Sequence, residues 1–352
     1  MSNVIAKGIS SKLSEAEKLS VRNNIGLGIG SGFGRKNLVI NGGFDVQQRG
    51  GSTGVVPVNA YGYVVDRWWG QSFIGDTGTG DANVVAGFYY PNIVGVKNAC
   101  SFSLQSTEAM PTNGVKRVVH LIEDVRNLSG QIGTLSFYAS STDVTSMYVV
   151  VRQESEPGVV INEVIAEEVT LNITLEKKEI TMDFPSVFGE VLQPNSCISI
   201  TFLVAKKDNT TFTVPNGEYG NTGVANLELS LTNVQLELGS QATDFEYRSI
   251  GEELALCQRY YEVVPQFYNY MPYVSSIQFQ AQTYCYKVQK RVAPTVNISA
   301  DGVANIVKVS DAPSYSSAVI VQGGEKRVTV IETGSGLNRN YVAFAATADA
   351  EL

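Results

Sequence analysis

The chain has 352 residues, enough for a large core and for two or three domains. Charged residues make up 17%, below the usual quarter, and the formal net charge is -8. Clustered Lys and Arg are needed to displace counterions from phosphates, so this balance argues against nucleic acid as a partner. No window approaches the apolar length of a membrane span, and Met1 to Gly30 lacks the apolar run of a secretory signal. A soluble chain made in the cytosol, with no membrane insertion, is expected. Cys100, Cys197, Cys257 and Cys285 are scattered without CxxC spacing, which indicates neither a zinc site nor a disulfide framework. They read as small buried hydrophobes.

In chain order, the first helix signal is the capping box Ser14-Glu15-Ala16-Glu17, with Gly26 placed for a left-handed stop. So short a helix is unstable alone in water. Its apolar residues Leu13, Ala16 and Leu19 therefore face copies of themselves, a docking partner, or their own domain. Glycines at 26, 28, 30, 32 and 34 then read as a linker, so residues 1–36 form an N-terminal segment of helix plus linker.

From Asn37 to Arg248 the pattern is almost wholly strand. Apolar residues alternate at Leu135, Phe137 and Ala139, at Met147, Val149 and Val151, at Ile198, Ile200, Phe202 and Val204, and at Leu227, Leu229 and Leu231. Thr232-Asn233 breaks the last rhythm before Val234, Leu236 and Leu238 resume it out of phase, which predicts a β-bulge. Turn residues separate the runs at Asp76 to Gly80, Glu156-Pro-Gly158 and Pro215-Asn-Gly217. Many half-buried strands without helical period between them mean an antiparallel sandwich or barrel.

A second capping box, Ser249-Ile-Gly-Glu252, predicts a connecting helix over 249–262 with Ile250, Leu254, Cys257 and Tyr261 on its buried face. Beyond it, alternating segments near 277–285, 303–309, 318–322, 327–332 and 340–346 predict a small all-β domain over 263–352. Gly323-Gly324 is a hairpin signal between two of its strands.

Residues with chemical potential are few. His120 is the sole histidine and falls in an apolar strand, with no GxSxG to accompany it, so a catalytic triad is not supported. The carboxylates from Glu154 to Glu190 read as a solvated rim and not as a glycosidase pair. Consecutive strand residues point to opposite faces, so at most one of Trp68 and Trp69 is core and the other stands at a surface or subunit contact. There, with a neighbouring Arg as hydroxyl donor, Trp69 is a candidate glycan platform. The strongest recognition candidate is Tyr260 to Tyr273, where Phe267, Tyr268, Asn269, Tyr270 and Tyr273 offer amphipathic surface at low entropy cost. The same rings also suit an interdomain or intersubunit seam, and Tyr284 and Tyr286 extend either surface.

Two stretches carry a family resemblance. Asn37-Leu-Val-Ile-Asn-Gly-Gly-Phe-Asp-Val-Gln-Gln-Arg-Gly50 with Asp66-Arg67-Trp68 opens the strand region, and Val234 to Gly239 running through Arg248 to Glu262 closes it. Together they resemble the jelly-roll module of bacteriophage tail fibres and related virion appendages, and Val288 to Val296 and Thr347 to Leu352 resemble the domain that follows it. The resemblance implies a jelly roll over 37–248, with Asn41, Asp66, Arg67 and Trp68 as framework. It also implies a non-enzymatic homotrimer in the virion that attaches to other virion proteins through its N-terminus and recognises host-surface glycan. Alternatives are a capsid or head fibre, a decoration protein, or a polysaccharide-degrading tail enzyme. No cofactor is implied. Related carbohydrate modules hold structural calcium, for which Asp45, Asp66 and Asp76 are the candidate ligands.

Overall fold

The structure is a computed structural model that describes residues 35–49, 55–56, 61–73, 82–107, 109–110, 113–207, 218–220, 222–223, 226–270, 278–300, 303–304, 319–334 and 341–351. Leu13, Ala16, Leu19, Asp76 and Tyr273 lie outside them. The chain divides into two compact units. One runs to Asp45 and again from Ser52 to Tyr247; the other combines Val46–Gly51 with Arg248–Leu352.

The first unit is an antiparallel jelly-roll sandwich. Its strands are β1 (Val55–Val56), β2 (Tyr61–Val65), β3 (Trp68–Phe73), β4 (Ala82–Tyr89), β5 (Ala99–Ser106), β6 (Gly114–Glu123), β7 (Ile132–Ser140), β8 (Ser146–Glu156), β9 (Val159–Thr170), β10 (Glu176–Asp183), β11 (Cys197–Lys207) and β12 (Leu227–Leu238). They form two six-stranded sheets, β1-β4-β5-β12-β7-β10 and β2-β3-β6-β11-β8-β9. The chain crosses between sheets repeatedly, so the apolar alternation of each strand feeds one shared core.

Rings occupy the centre of that core. Trp68 lies 5.0 Å from Phe44 and 6.3 Å from both Phe102 and Phe202, ring centre to ring centre. Tilted pairs of this kind add to the ~1.5–3 kcal/mol that burying each large apolar side chain contributes. The Trp68 indole donates to the Asn41 carbonyl at 3.0 Å, and the Asn41 amide donates to the Asp66 carbonyl at 3.0 Å. The Arg67 guanidinium donates to the Leu121 carbonyl. Asn41, Asp66, Arg67 and Trp68 are all buried. Asn41, Phe44 and Arg67 hold left-handed backbone, with φ of 58°, 55° and 68°, a costly conformation that this packing sustains.

The predicted bulge is present. The pairing of β12 with β7 slips between Thr232 and Gln235, and Asn233 adopts φ 47°. Its side-chain amide donates to the Gly95 carbonyl at 3.0 Å and to the Tyr247 hydroxyl at 3.1 Å, and the Val234 amide within the bulge donates to the Gly42 carbonyl at 2.9 Å instead of to the ladder.

The second unit opens with helix α1 (Ile250–Gln258). Ser249 caps it, its hydroxyl accepting from the Glu252 amide at 3.3 Å. The helix is shorter than the expected 249–262 because β13 (Tyr261–Tyr270) begins at once. Its buried face also differs. Cys257 is buried as expected, but Ile250 is 61% exposed and Glu253 is buried instead, where Arg248 reaches its carboxylate at 3.3 Å with both side chains shielded. The remaining strands are β14 (Gln278–Cys285), β15 (Thr295–Ala300), β16 (Val303–Ala304), β17 (Val319–Gly323), β18 (Arg327–Gly334) and β19 (Tyr341–Asp349). They build the sheets β13-β19-β15-β16 and β14-β18-β17, with Gly323 opposite Val328 at the expected hairpin. Cys100, Cys197 and Cys257 are buried as expected, whereas Cys285 is exposed where β14 ends.

A charged pair sits in the interior of this unit. Lys290 Nζ lies 2.5 Å from Glu262 Oε2 with both side chains fully buried, and the Tyr284 hydroxyl donates to Glu262 Oε1 at 2.8 Å. Tyr286, expected beside Tyr284 on an outer face, is instead buried with its ring 4.8 Å from Lys290 Nζ. The cation draws the ring inward, where its face offsets part of the lost hydration.

Candidate functional site

Because Trp68, Val118, Phe202 and Val149 point into the core, their neighbours on β3, β6, β11 and β8 point away from it. Register then brings the outward residues into rows across the strands. Trp69 stands opposite Val119, which stands opposite Thr201, then Val150 and Ala166. In the next row Gln71 stands opposite Arg117, followed by Leu203, Tyr148 and Glu168. On the other side of the Trp69 row, Leu121, Ser199 and Arg152 are aligned.

Large residues flank small ones on this face. Thr201 is 4% exposed in the row of the half-buried Trp69, and Ser199 is 4% exposed in the adjoining row, on the side away from the half-buried Tyr148. Val115, Val150 and Leu203 form an apolar patch that Phe73, Tyr148 and Ala166 extend. Thr201, Ser199, Val119 and Val150 thus form a buried floor among larger side chains, here termed the Trp69 trough. Trp69 and Tyr148 are three strands apart, roughly 14 Å at ordinary strand spacing.

Polar groups along the trough are held in place. Arg117 Nε donates to Gln71 Oε1 at 2.8 Å, and the guanidinium carbon lies 5.0 Å from the Trp69 ring centre. Burial pulls the Arg117 pKa down to about 10, which leaves it a cation at neutral pH. Ser199 donates to Glu154 Oε1 at 2.5 Å, and the Gly158 amide donates to Glu154 Oε2 at 2.7 Å. Arg152 donates to Glu163 Oε2 at 2.8 and 3.1 Å. At the far side Tyr219 meets Tyr148 edge-on at 4.8 Å and shares a 2.9 Å hydrogen bond with Ser146. Burial pushes the Tyr219 hydroxyl up to about 12, so it is a neutral donor and acceptor.

The sequence pointed to Trp69 but not to its companions. Arg67, which precedes the tryptophan pair in the chain, is buried in the framework, and Arg117 supplies the guanidinium from the adjacent strand instead. Glu154 is likewise no part of a solvated rim; it is 6% exposed because Ser199 and the turn that carries Gly158 close over it through the bonds above. One signal was available: Arg117 and Thr201 interrupt the outward apolar residues Val115, Val119 and Leu203 of two central strands. His120 lies in the core, 4.8 Å from the Trp68 ring, and not on this face.

The tyrosine-rich segment forms β13, which pairs Phe267 with Phe344, Tyr268 with Ala343, Asn269 with Val342 and Tyr270 with Tyr341 after a slip at Pro265-Gln266. The side chains of these four residues lie outside what the structure describes. Asp45 accepts from the Asn98 amide at 2.6 Å, and burial raises its carboxyl above the usual range. Among the described residues no three His, Cys, Asp or Glu side chains gather as a metal site would require.

No family model matches the chain, and no curated protein matches it. Several solved structures are similar. The enzymatically active domain of tailspike protein 4 from bacteriophage CBA120 is 14% identical with a TM-score of 0.32, over 58% of this chain and 21% of that one. The family 11 carbohydrate-binding module of a Clostridium thermocellum cellulosomal cellulase is 16% identical with a TM-score of 0.30, over 55% and 99% of the two chains. The N-terminal cellulose-binding domain of Cellulomonas fimi β-1,4-glucanase C is 14% identical with a TM-score of 0.28, over 45% and 90%. This chain thus spans about a fifth of the tailspike domain's length.

Proposed function

We propose that the jelly-roll unit binds a neutral carbohydrate in the Trp69 trough, and that the protein is a virion appendage recognising host-surface glycan without cleaving it. One observation carries the binding reading: the Trp69 indole stands beside a donor and an acceptor that hold each other in place, Arg117 and Gln71, next to a floor of small side chains. A sugar ring offers the complementary chemistry. Its CH faces stack on aromatic rings, and each hydroxyl both donates and accepts. The charges flanking the floor are balanced, with Arg152 against Glu163 and Arg117 in the field of Glu154, so a neutral ligand fits better than an anionic one.

The appendage reading rests on the resemblance of the residues around Asn37 to Gly50 and Val234 to Glu262. It makes the protein a homotrimeric tail fibre, attached to the virion through residues 1–36, with the β13 tyrosines as a second contact surface. Purified protein should bind susceptible cells and block infection, and should release no reducing ends from host polysaccharide. Tight binding to shells without cell binding would instead identify a decoration protein, and release of reducing ends an enzyme.

A further inference from the structure

The chain contributes to the C-terminal unit twice, first as the short arm Val46–Gly51 and again from Arg248 onward. Specific chemistry holds the arm there. Pairing of β13 with β19 sets Tyr261 opposite Asp349, and the chain runs on to Glu351, so a ring and two carboxylates converge where the two strands meet. Arg49 fills the space between them. Its guanidinium carbon lies 3.8 Å from the Tyr261 ring centre, Nη1 lies 3.3 Å from Asp349 Oδ2, and Nη2 lies 2.8 Å from Glu351 Oε1. The preceding Gln48 donates its side-chain amide to the Tyr261 carbonyl at 3.0 Å, and Val46 is buried.

This is unlike a surface ion pair, whose contribution is small. The side chains of Arg49 and Glu351 are only 12% and 5% exposed, so removal of the cation leaves a shielded negative charge that water compensates poorly. A planar guanidinium stacks on a ring and forks between two carboxylates at once; an ammonium group cannot do both.

We propose that Tyr261, Asp349 and Glu351 form an arginine-recognition notch in the C-terminal unit, and that its resident occupant is Arg49. The Val46–Gly51 arm is then an obligatory part of that unit and not a passive stretch of the jelly roll. Residues from Arg248 onward complete their fold only when this earlier segment docks.

Hydrogen exchange on the full chain tests this. In Arg49→Ala, amides of residues 261–264 and 347–350 should exchange about tenfold faster or more, while those of Cys197–Lys207 in the jelly roll keep the wild-type rate. Arg49→Lys should fall between the two. An Asp349→Asn, Glu351→Gln double variant approaches the notch from the other side and should reproduce the pattern, and it alone decides if Arg49→Ala does not accumulate as folded protein. Unchanged exchange in the β13 and β19 segments overturns the proposal, and so does equal acceleration in Cys197–Lys207.

Discussion

Trp68 and Trp69 are adjacent in sequence and face opposite ways because strand geometry sends successive side chains to opposite faces. Trp68 is fully buried among Phe44, Phe102 and Phe202, so Trp68→Ala should cost about 3–5 kcal/mol in chemical denaturation. Trp69→Ala should change stability by less than about 1 kcal/mol and weaken glycan binding by about tenfold or more, since its ring is a half-buried platform. Lys116 offers a test by pH. It is buried beside Ser106, to which it donates at 2.9 Å, and burial pulls its pKa from 10.5 down to about 8. The folded state therefore sheds this proton before the unfolded state does. Between pH 8 and about 10 the unfolded chain binds more protons, so stability should rise with pH, and Lys116→Met should flatten the rise. That one tryptophan faces the core and the other faces away was legible from alternation, and the resemblance at Asp66-Arg67-Trp68 named Trp68 as the inner one. Arg117 was not, because its partnership with Trp69 and Gln71 exists only through the register of β3 against β6, which local sequence does not encode.

At the scale of elements, strands, turns and the bulge at Asn233 were readable because each leaves a local mark: a period of two, a Gly or Asn at a turn, a slip in phase. The end of α1 was less so. Helical spacing from Ile250 to Tyr261 is genuine in the sequence, yet tertiary pairing of Tyr261 with Asp349 claims the last residues for β13. The interior of the C-terminal unit has a similar lesson, since Glu262 and Lys290 look like surface residues until the fold pairs them. Glu262→Ala would strand a buried ammonium and should cost about 3–5 kcal/mol, whereas exchanging both partners for apolar residues of similar size should cost far less. Denaturation of the single and double variants distinguishes an ion pair that only breaks badly from one that stabilises.

For the molecule as a whole, an all-β chain with a jelly roll followed by a smaller β unit followed from composition, strand rhythm and the resemblance at Asn37 to Gly50. The reassignment of Val46–Gly51 to the second unit did not, because it depends on where Arg49 finds its carboxylates. Assembly is a separate matter of solution mass. A homotrimer should scatter light as three 38.0 kDa chains, and a clean monomer would remove that part of the appendage reading. The proposed binding of host glycan at Trp69 is open to direct measurement. Binding of purified wild-type and Trp69→Ala protein to polysaccharide isolated from a susceptible host tests it most directly. Saturable binding by the wild type, weakened about tenfold or more in the folded variant, is the expected result. Equal binding by the two proteins would contradict it.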